Sequence, residues 1–266
     1  MNRFLMAVTA AAMTLGVAAC NDMSGSDDAD TASIAGSWKA NVDSAQFEND
    51  TRNWVLADGV FDCQSCLPPY QVTANGEWQT VDRPGYDSQN IAVVDENTVT
   101  SAVRKGEDDL GNSTWTVSED GQNMTIAFND LSGDEPVTGS TIYSRTSAGP
   151  DGSHAVSGEW TVSNIGEISD AGLLFDYTLD GDQYGSSGNG ISFVATLGGE
   201  AVAIEGSNSG TMVAVAQTGD GAYRETFSRD GETVGVTDIT IDGDTMSVVS
   251  TDPRDNSVVR WTATRQ

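Results

Sequence analysis

From residue 34 onward the chain alternates apolar and polar positions in short runs, each broken by turn-forming residues. I-A-V-V-D-E-N-T-V-T-S-A-V (91–103) predicts two strands and a tight turn. T-W-T-V-S-E-D-G-Q-N-M-T-I-A-F (114–128) predicts a hairpin closing at Asp120-Gly121, and D-I-T-I-D-G-D-T-M-S-V-V (238–249) another closing at Asp242-Gly243. Alternation of period two places every second side chain on one face of a sheet. Gly, Asn and Asp tolerate the positive φ that tight hairpin turns demand. Many short strands at regular spacing predict an all-β sandwich or barrel. The one predicted helix is short and lies within 43–56, capped by Asp43 or Ser44.

The pattern runs twice. G-S-W-K-A at Gly36–Ala40 returns as G-E-W-T-V at Gly158–Val162, with Trp160 following Trp38 by 122 residues. A-N-G-E-W-Q-T-V (74–81) aligns with L-G-G-E-A-V-A-I (197–204), and D-G-Q-N-M-T-I (120–126) with D-G-D-T-M-S-V (242–248). Each copy ends on a strand with an aromatic and an arginine: T-I-Y-S-R at Arg145 and R-W-T-A-T-R at Arg265. Self-similarity at a fixed period predicts two domains of one type, 34–146 and 156–266, joined by a turn-rich link at 147–155. Each is long enough to hold its own core.

Gly-x-Trp at the start and arginine at the end of each copy resemble the signature of lipocalin-like (calycin) β-barrels. The resemblance implies two tandem antiparallel barrels. In each, a first-strand tryptophan (Trp38, Trp160) closes the barrel bottom and the last-strand arginine of the same copy (Arg145, Arg265) packs across its ring, pinning the two ends of the copy to one another. A guanidinium over a buried indole is worth about 0.5–2 kcal/mol. These four residues are therefore expected to be structural. The resemblance also implies a small apolar ligand. The chain is similar, over most of 34–266, to tandem-domain lipoproteins of Gram-negative bacteria, which share segments like G-V-F-D-C-Q-S-C-L-P-P-Y and R-D-G-E-T-V. That likeness brings no established activity.

The N-terminus sets the expected address. Arg3, an apolar alanine-rich run from Leu5 to Val17, and V-A-A-C ending at Cys20 form the pattern of a secretory signal peptide over 1–19. The run is short of the roughly 20 residues that span a bilayer. Cys20 after small residues resembles a bacterial lipobox, which implies cleavage before it and a lipid on its thiol. Asn21, in place of aspartate, favours the outer membrane. Residues 20–33 are small, polar and acidic and predict a flexible tether.

Charge removes one class of partner. The chain carries 12 Lys+Arg against 40 Asp+Glu, a net charge of −28. Nucleic acid needs a basic footprint, so it is not an expected partner. Anionic headgroups repel such a surface, which leaves the lipid as the membrane contact.

Candidate chemistry is sparse. Cys63 and Cys66, in D-C-Q-S-C-L-P-P-Y (62–70), have no counterpart in the second copy. A redox site would open a helix in a βαβ unit, haem attachment needs a histidine where Leu67 stands, and a metal site needs further soft ligands. A local disulfide, formed in an oxidising compartment, is the expectation. The single histidine, His154, lies in the link with no G-x-S-x-G elsewhere, so no nucleophile–base pair is expected. The D-G-D stretches at 180–182 and 242–244 lack the spaced oxygens and closing glutamate of an EF-hand and are expected to be turns. No catalytic residue, metal or cofactor is expected. Trp54, Phe61, Tyr70, Trp78, Tyr86 and Trp115 are the candidate lining of a ligand cavity in the first copy; a small barrel also fills itself with such side chains. The second copy, poorer in aromatics, is expected to give support. The leading expectation is a non-catalytic, lipid-anchored envelope protein that binds a small apolar or amphipathic molecule. Its rival is an interaction module that contacts another envelope protein; a thiol-redox protein using Cys63 and Cys66 is the remote third.

Overall fold

The computed structural model describes residues 33–266. The signal segment, Cys20 and nearly all of the tether lie outside the described residues. The described chain is all-β, built as two ten-stranded antiparallel sheets, each curled until its end strands nearly meet. The strands are β1 (Gly36–Glu48), β2 (Thr51–Ala57), β3 (Val60–Cys63), β4 (Tyr70–Thr73), β5 (Asn75–Arg83), β6 (Tyr86–Val93), β7 (Thr98–Lys105), β8 (Asp108–Val117), β9 (Asn123–Asp130) and β10 (Val137–Ala148). The second run is β11 (Gly158–Ile168), β12 (Leu174–Asp180), β13 (Gln183–Gly188), β14 (Ile191–Thr196), β15 (Val202–Ala203), β16 (Met212–Gly219), β17 (Ala222–Arg229), β18 (Glu232–Asp242), β19 (Thr245–Asp252) and β20 (Ser257–Arg265). The three predicted hairpins form as read. Asp95–Asn97 lie between β6 and β7, Asp120-Gly121 between β8 and β9, and Asp242-Gly243 at the join of β18 and β19.

The sheets do not follow the two sequence copies. One runs β4-β3-β2-β11-β10-β9-β8-β7-β6-β5 and the other β14-β13-β12-β1-β20-β19-β18-β17-β16-β15. The copies have exchanged first strands. β11, which opens the second copy, closes barrel one between β2 and β10. β1, which opens the first, closes barrel two between β12 and β20. This corrects the expectation that each barrel is closed by the ends of its own copy. The join from β1 to β2 is two residues, Asn49 and Asp50. Short hinges favour continuing straight into a neighbour over folding back as a hairpin, and the neighbour offers an equivalent slot.

The predicted helix within 43–56 is also corrected: β1 and β2 occupy it. β1 bulges between Asn41 and Gln46. There Ser44 uses its hydroxyl not as a helix cap but as a sheet acceptor, taking the backbone N–H of Thr262 at 2.8 Å. The one helical turn described is a 3-10 turn at Asp170–Gly172, between β11 and β12.

The two Trp–Arg pairs explain Gly-x-Trp. Arg265 lies 4.3 Å over Trp38, and Arg145 lies 4.0 Å over Trp160. Each indole N–H donates to the carbonyl four residues back, Ile34 at 2.9 Å and Val156 at 3.0 Å. Arg265 donates to the carbonyls of Ser33 and Ala35, both at 2.7 Å. Arg145 donates to Ala155 at 2.6 Å and Ser157 at 2.5 Å. The chain must therefore turn under the guanidinium just before each tryptophan. Gly36 (φ 134°) and Gly158 (φ 129°) make that turn, and a Cβ there would come within 2.7 Å and 2.8 Å of the arginine Nη1. Glycine is required both for the dihedral and for the clearance.

Strand directions place these locks at opposite ends of the molecule. In barrel one, Trp160 and the turns at 58–59, 94–97 and 118–122 share one pole, and the turns at 64–69, 84–85, 106–107 and 131–136 share the other end. In barrel two, Trp38 and Arg265 mark a pole, and the turns at 189–190, 230–231 and 253–256 mark the other end. The two unlocked ends face one another. There Asn189 bonds the backbone of Glu135 in both directions, at 2.9 Å and 3.0 Å, and Asn49 donates to the carbonyl of Asn256 at 3.2 Å.

Candidate functional site

The interior of barrel one is ordered in two tiers. Inward positions nearer the locked pole carry Trp54, Phe61 and Trp115. Trp54 and Trp115 have ring centroids 4.9 Å apart, Phe61 meets Trp115 edge-on at 5.6 Å, and Tyr143 meets Trp54 edge-on at 5.9 Å. Contacts of this kind add about 0.5–1.5 kcal/mol each beyond area burial. The upper tier is polar. Tyr70 donates to Gln89 at 2.8 Å, and Gln89 donates to Ser101 at 3.2 Å. Arg52 pairs with Asp50 at 2.6 Å, with both side chains largely buried. Burial, with Tyr86 beside it, pushes the Tyr70 phenol far above its ordinary value, so it donates as a neutral hydroxyl.

Of the six aromatic candidates, Trp54, Phe61 and Trp115 come together, and Tyr70 and Tyr86 meet at the mouth with hydroxyls 3.5 Å apart. Trp78 stands apart on the outer surface, 36% exposed, with Arg104 4.1 Å over its ring. β5 is an end strand of its sheet, where the inward–outward pattern is weakest.

Cys63 and Cys66 are joined, with Cα atoms 5.4 Å apart. Cys63 is buried in the core of barrel one. Arg83 holds the loop that follows. It stacks 4.4 Å over Tyr70 and donates to the carbonyls of Pro68 and Leu67. Disulfide, arginine and tyrosine together shape the rim of barrel one.

His154 is half-buried and bonded on both ring nitrogens. Nε2 donates to the Asp95 carbonyl at 2.7 Å, and Nδ1 accepts the Val156 N–H at 3.3 Å. It fastens the link onto the pole of barrel one. Among the described residues no group of three or more His, Cys, Asp or Glu is placed to hold a metal ion. The D-G-D stretches at 180–182 and 242–244 lie in hairpin turns.

Barrel two holds the feature that the sequence reading missed. Glu225 lies inside it, 5% exposed. Tyr184 donates to Glu225 Oε1 at 2.8 Å and Tyr177 to the same oxygen at 3.5 Å. Burial pushes the carboxyl up to about 7, and the two tyrosine hydrogen bonds only partly oppose that. Thr237 and Ser250 share a hydrogen bond at 3.0 Å on the neighbouring strands. The signal was present: Glu225 is in phase with Tyr223 and Phe227 in A-Y-R-E-T-F, so it shares their inward face. It went unread among 40 acidic residues.

Two surface depressions, of about 320 Å³ and about 350 Å³, lie on the outside of barrel one. The first runs along the outer face of β2 beside Ser147–Pro150. The second sits at the locked pole, between the Asp58-Gly59 turn, Val93 and His154. Neither is lined by the inward aromatics. Comparison with protein-family models, with curated proteins and with solved structures gives no match.

Proposed function

We propose that this chain is a non-catalytic, lipid-anchored envelope protein that acts as an interaction module through its outer surface. The observation that supports the reading is the occupancy of barrel one by its own rings: Trp54, Phe61, Trp115 and Tyr143 contact one another where a cargo would sit. Exposed apolar side chains cluster beside the depression at the locked pole instead. Val60, Val93 and Val94 are 37%, 48% and 59% exposed, and Val93 lines that depression. Exposed apolar groups gathered at one place are the usual mark of a protein contact. The lipocalin-like resemblance and the lipobox at Cys20 supply the rest of the proposal: a barrel scaffold held at the outer membrane by its N-terminus.

One observation favours the competing reading, a carried amphipathic molecule. In barrel one a polar tier (Tyr70, Gln89, Ser101) lies above an aromatic floor, an order that such a ligand would match. Mass spectra of residues 21–266, exported to a periplasm without the anchor, separate the two. The expected native spectrum shows the bare chain, and the denatured spectrum the chain two hydrogens light from Cys63–Cys66. Extra mass on the native form that leaves on denaturation would replace the interaction module by the ligand carrier.

A further inference from the structure

Barrel two is closed by a thin seam. Its end strands are β14 and β15. One isolated bridge ties β14 to the residues just after β15, in which Ser192 N–H donates to Glu205 at 3.1 Å and Glu205 N–H to Ser192 at 2.8 Å, and just past β14 the Gly198 N–H donates to the Val215 carbonyl on β16 at 2.8 Å. β15 is only two residues long. Behind the seam, inside the barrel, the Glu225 cluster spans the gap. Tyr177 on β12 and Tyr184 on β13 belong to the sheet's β14 side, and Glu225 on β17 belongs to its β15 side.

The groups around Glu225 are uncharged. From β12 it meets Tyr177, and from β13 Tyr184; Val215 on β16 and Thr237 on β18 stand opposite it in register. Ser186 on β13 bonds Tyr177. Burial and the adjacent carboxylate push both phenols well above their ordinary values, so both stay protonated. Arg224, next in sequence, points outward to Asp238 at 2.7 Å. A carboxylate taken out of water with no cation beside it favours its neutral form. Its ionised form gains by drawing in water, and the seam lies close by, since Val215, opposite Glu225 in register, accepts the Gly198 N–H across it.

We propose that Glu225, Tyr184 and Tyr177 form a proton-operated latch: neutral Glu225 holds β12–β14 against β17, and loss of its proton loosens the seam between β14 and β15. The inference goes beyond the proposed interaction role. The sign follows from linkage. The folded state holds this proton more tightly than the unfolded chain, so the contribution is fully present below about 4.5 and is lost as pH rises through about 7.

Hydrogen exchange of the full chain tests this, with protection corrected for intrinsic exchange and referenced to amides of β19 and β20. Between pH 5.5 and 8, protection at Ser192 and Glu205 is expected to fall about tenfold relative to the reference. Glu225→Gln is expected to abolish that fall. His154, the chain's single histidine, lies at the far pole of barrel one, so His154→Asn is expected to keep it. A wild-type seam that tracks the reference amides at both pH values would overturn the latch, whether or not Glu225→Gln folds. So would a fall that persists in Glu225→Gln or disappears in His154→Asn.

Discussion

Replacing Trp38 by alanine is expected to destabilise the chain by about 3–5 kcal/mol, the usual cost of emptying a fully buried aromatic site. The informative part is its partner. Trp38 is wholly buried and lies under Arg265, from the far end of the chain, not under Arg145 of its own copy. In double-mutant cycles read by denaturant unfolding, Trp38→Ala should couple to Arg265→Ala by about 0.5–3 kcal/mol, as residues in contact do. With Arg145→Ala it should add within about 0.5 kcal/mol. The mirror result is expected for Trp160: coupling to Arg145, additivity with Arg265. Coupling between Trp38 and Arg145 would mean that the barrels are closed by their own first strands.

Gly158→Ala should be nearly as damaging. The methyl group would sit 2.4 Å from the Ser147 carbonyl oxygen and 2.8 Å from Arg145 Nη1, at φ 129°. Backbone strain of about 1–3 kcal/mol adds to the displacement of the guanidinium from Trp160. A loss of about 3 kcal/mol is expected. Gly152→Ala is the control, because it too has positive φ, 80°, but nothing within 4 Å of the added methyl. It should cost strain alone. Equal losses at both positions would show that the clearance under Arg145 contributes nothing.

Several parts of this molecule were legible in the residues. The hairpins at 94–97, 120–121 and 242–243 were marked by turn chemistry. Gly36 and Trp38, Gly158 and Trp160, and the two closing arginines marked the locks. C-Q-S-C marked the disulfide. These are local features, fixed by a few adjacent side chains. What the residues could not reveal was the exchange of β1 and β11. Both strands carry the same Gly-x-Trp and fit the same kind of slot, so local pattern is satisfied either way, and the choice rests on a two-residue hinge and the contacts between facing barrel ends. The stretch 43–56 misled for a related reason: Asp43 and Ser44 have cap chemistry, but a bulged strand uses a serine hydroxyl just as well. The aromatic candidates were gathered by residue type, and type does not report facing. Trp54, Phe61 and Trp115 point inward, and Trp78 does not. Glu225 was hidden because inward phase shows only when the strand is placed, and acids otherwise crowd the turns and outer faces.

The exchange makes the two barrels one interlocked unit. Each half of the chain contributes a strand to the other half's sheet, through the joins at Asn49-Asp50 and at 169–173. The most direct measurement is to insert a protease site between Asp151 and Gly152, in the exposed turn of the link, cleave the folded protein, and dilute it on a native sizing column. The expected result is a single complex of both fragments that survives dilution to nanomolar concentration and separates only in denaturant. Two folded halves that part without denaturant would contradict the exchanged barrels, and with them the account of how this chain is closed.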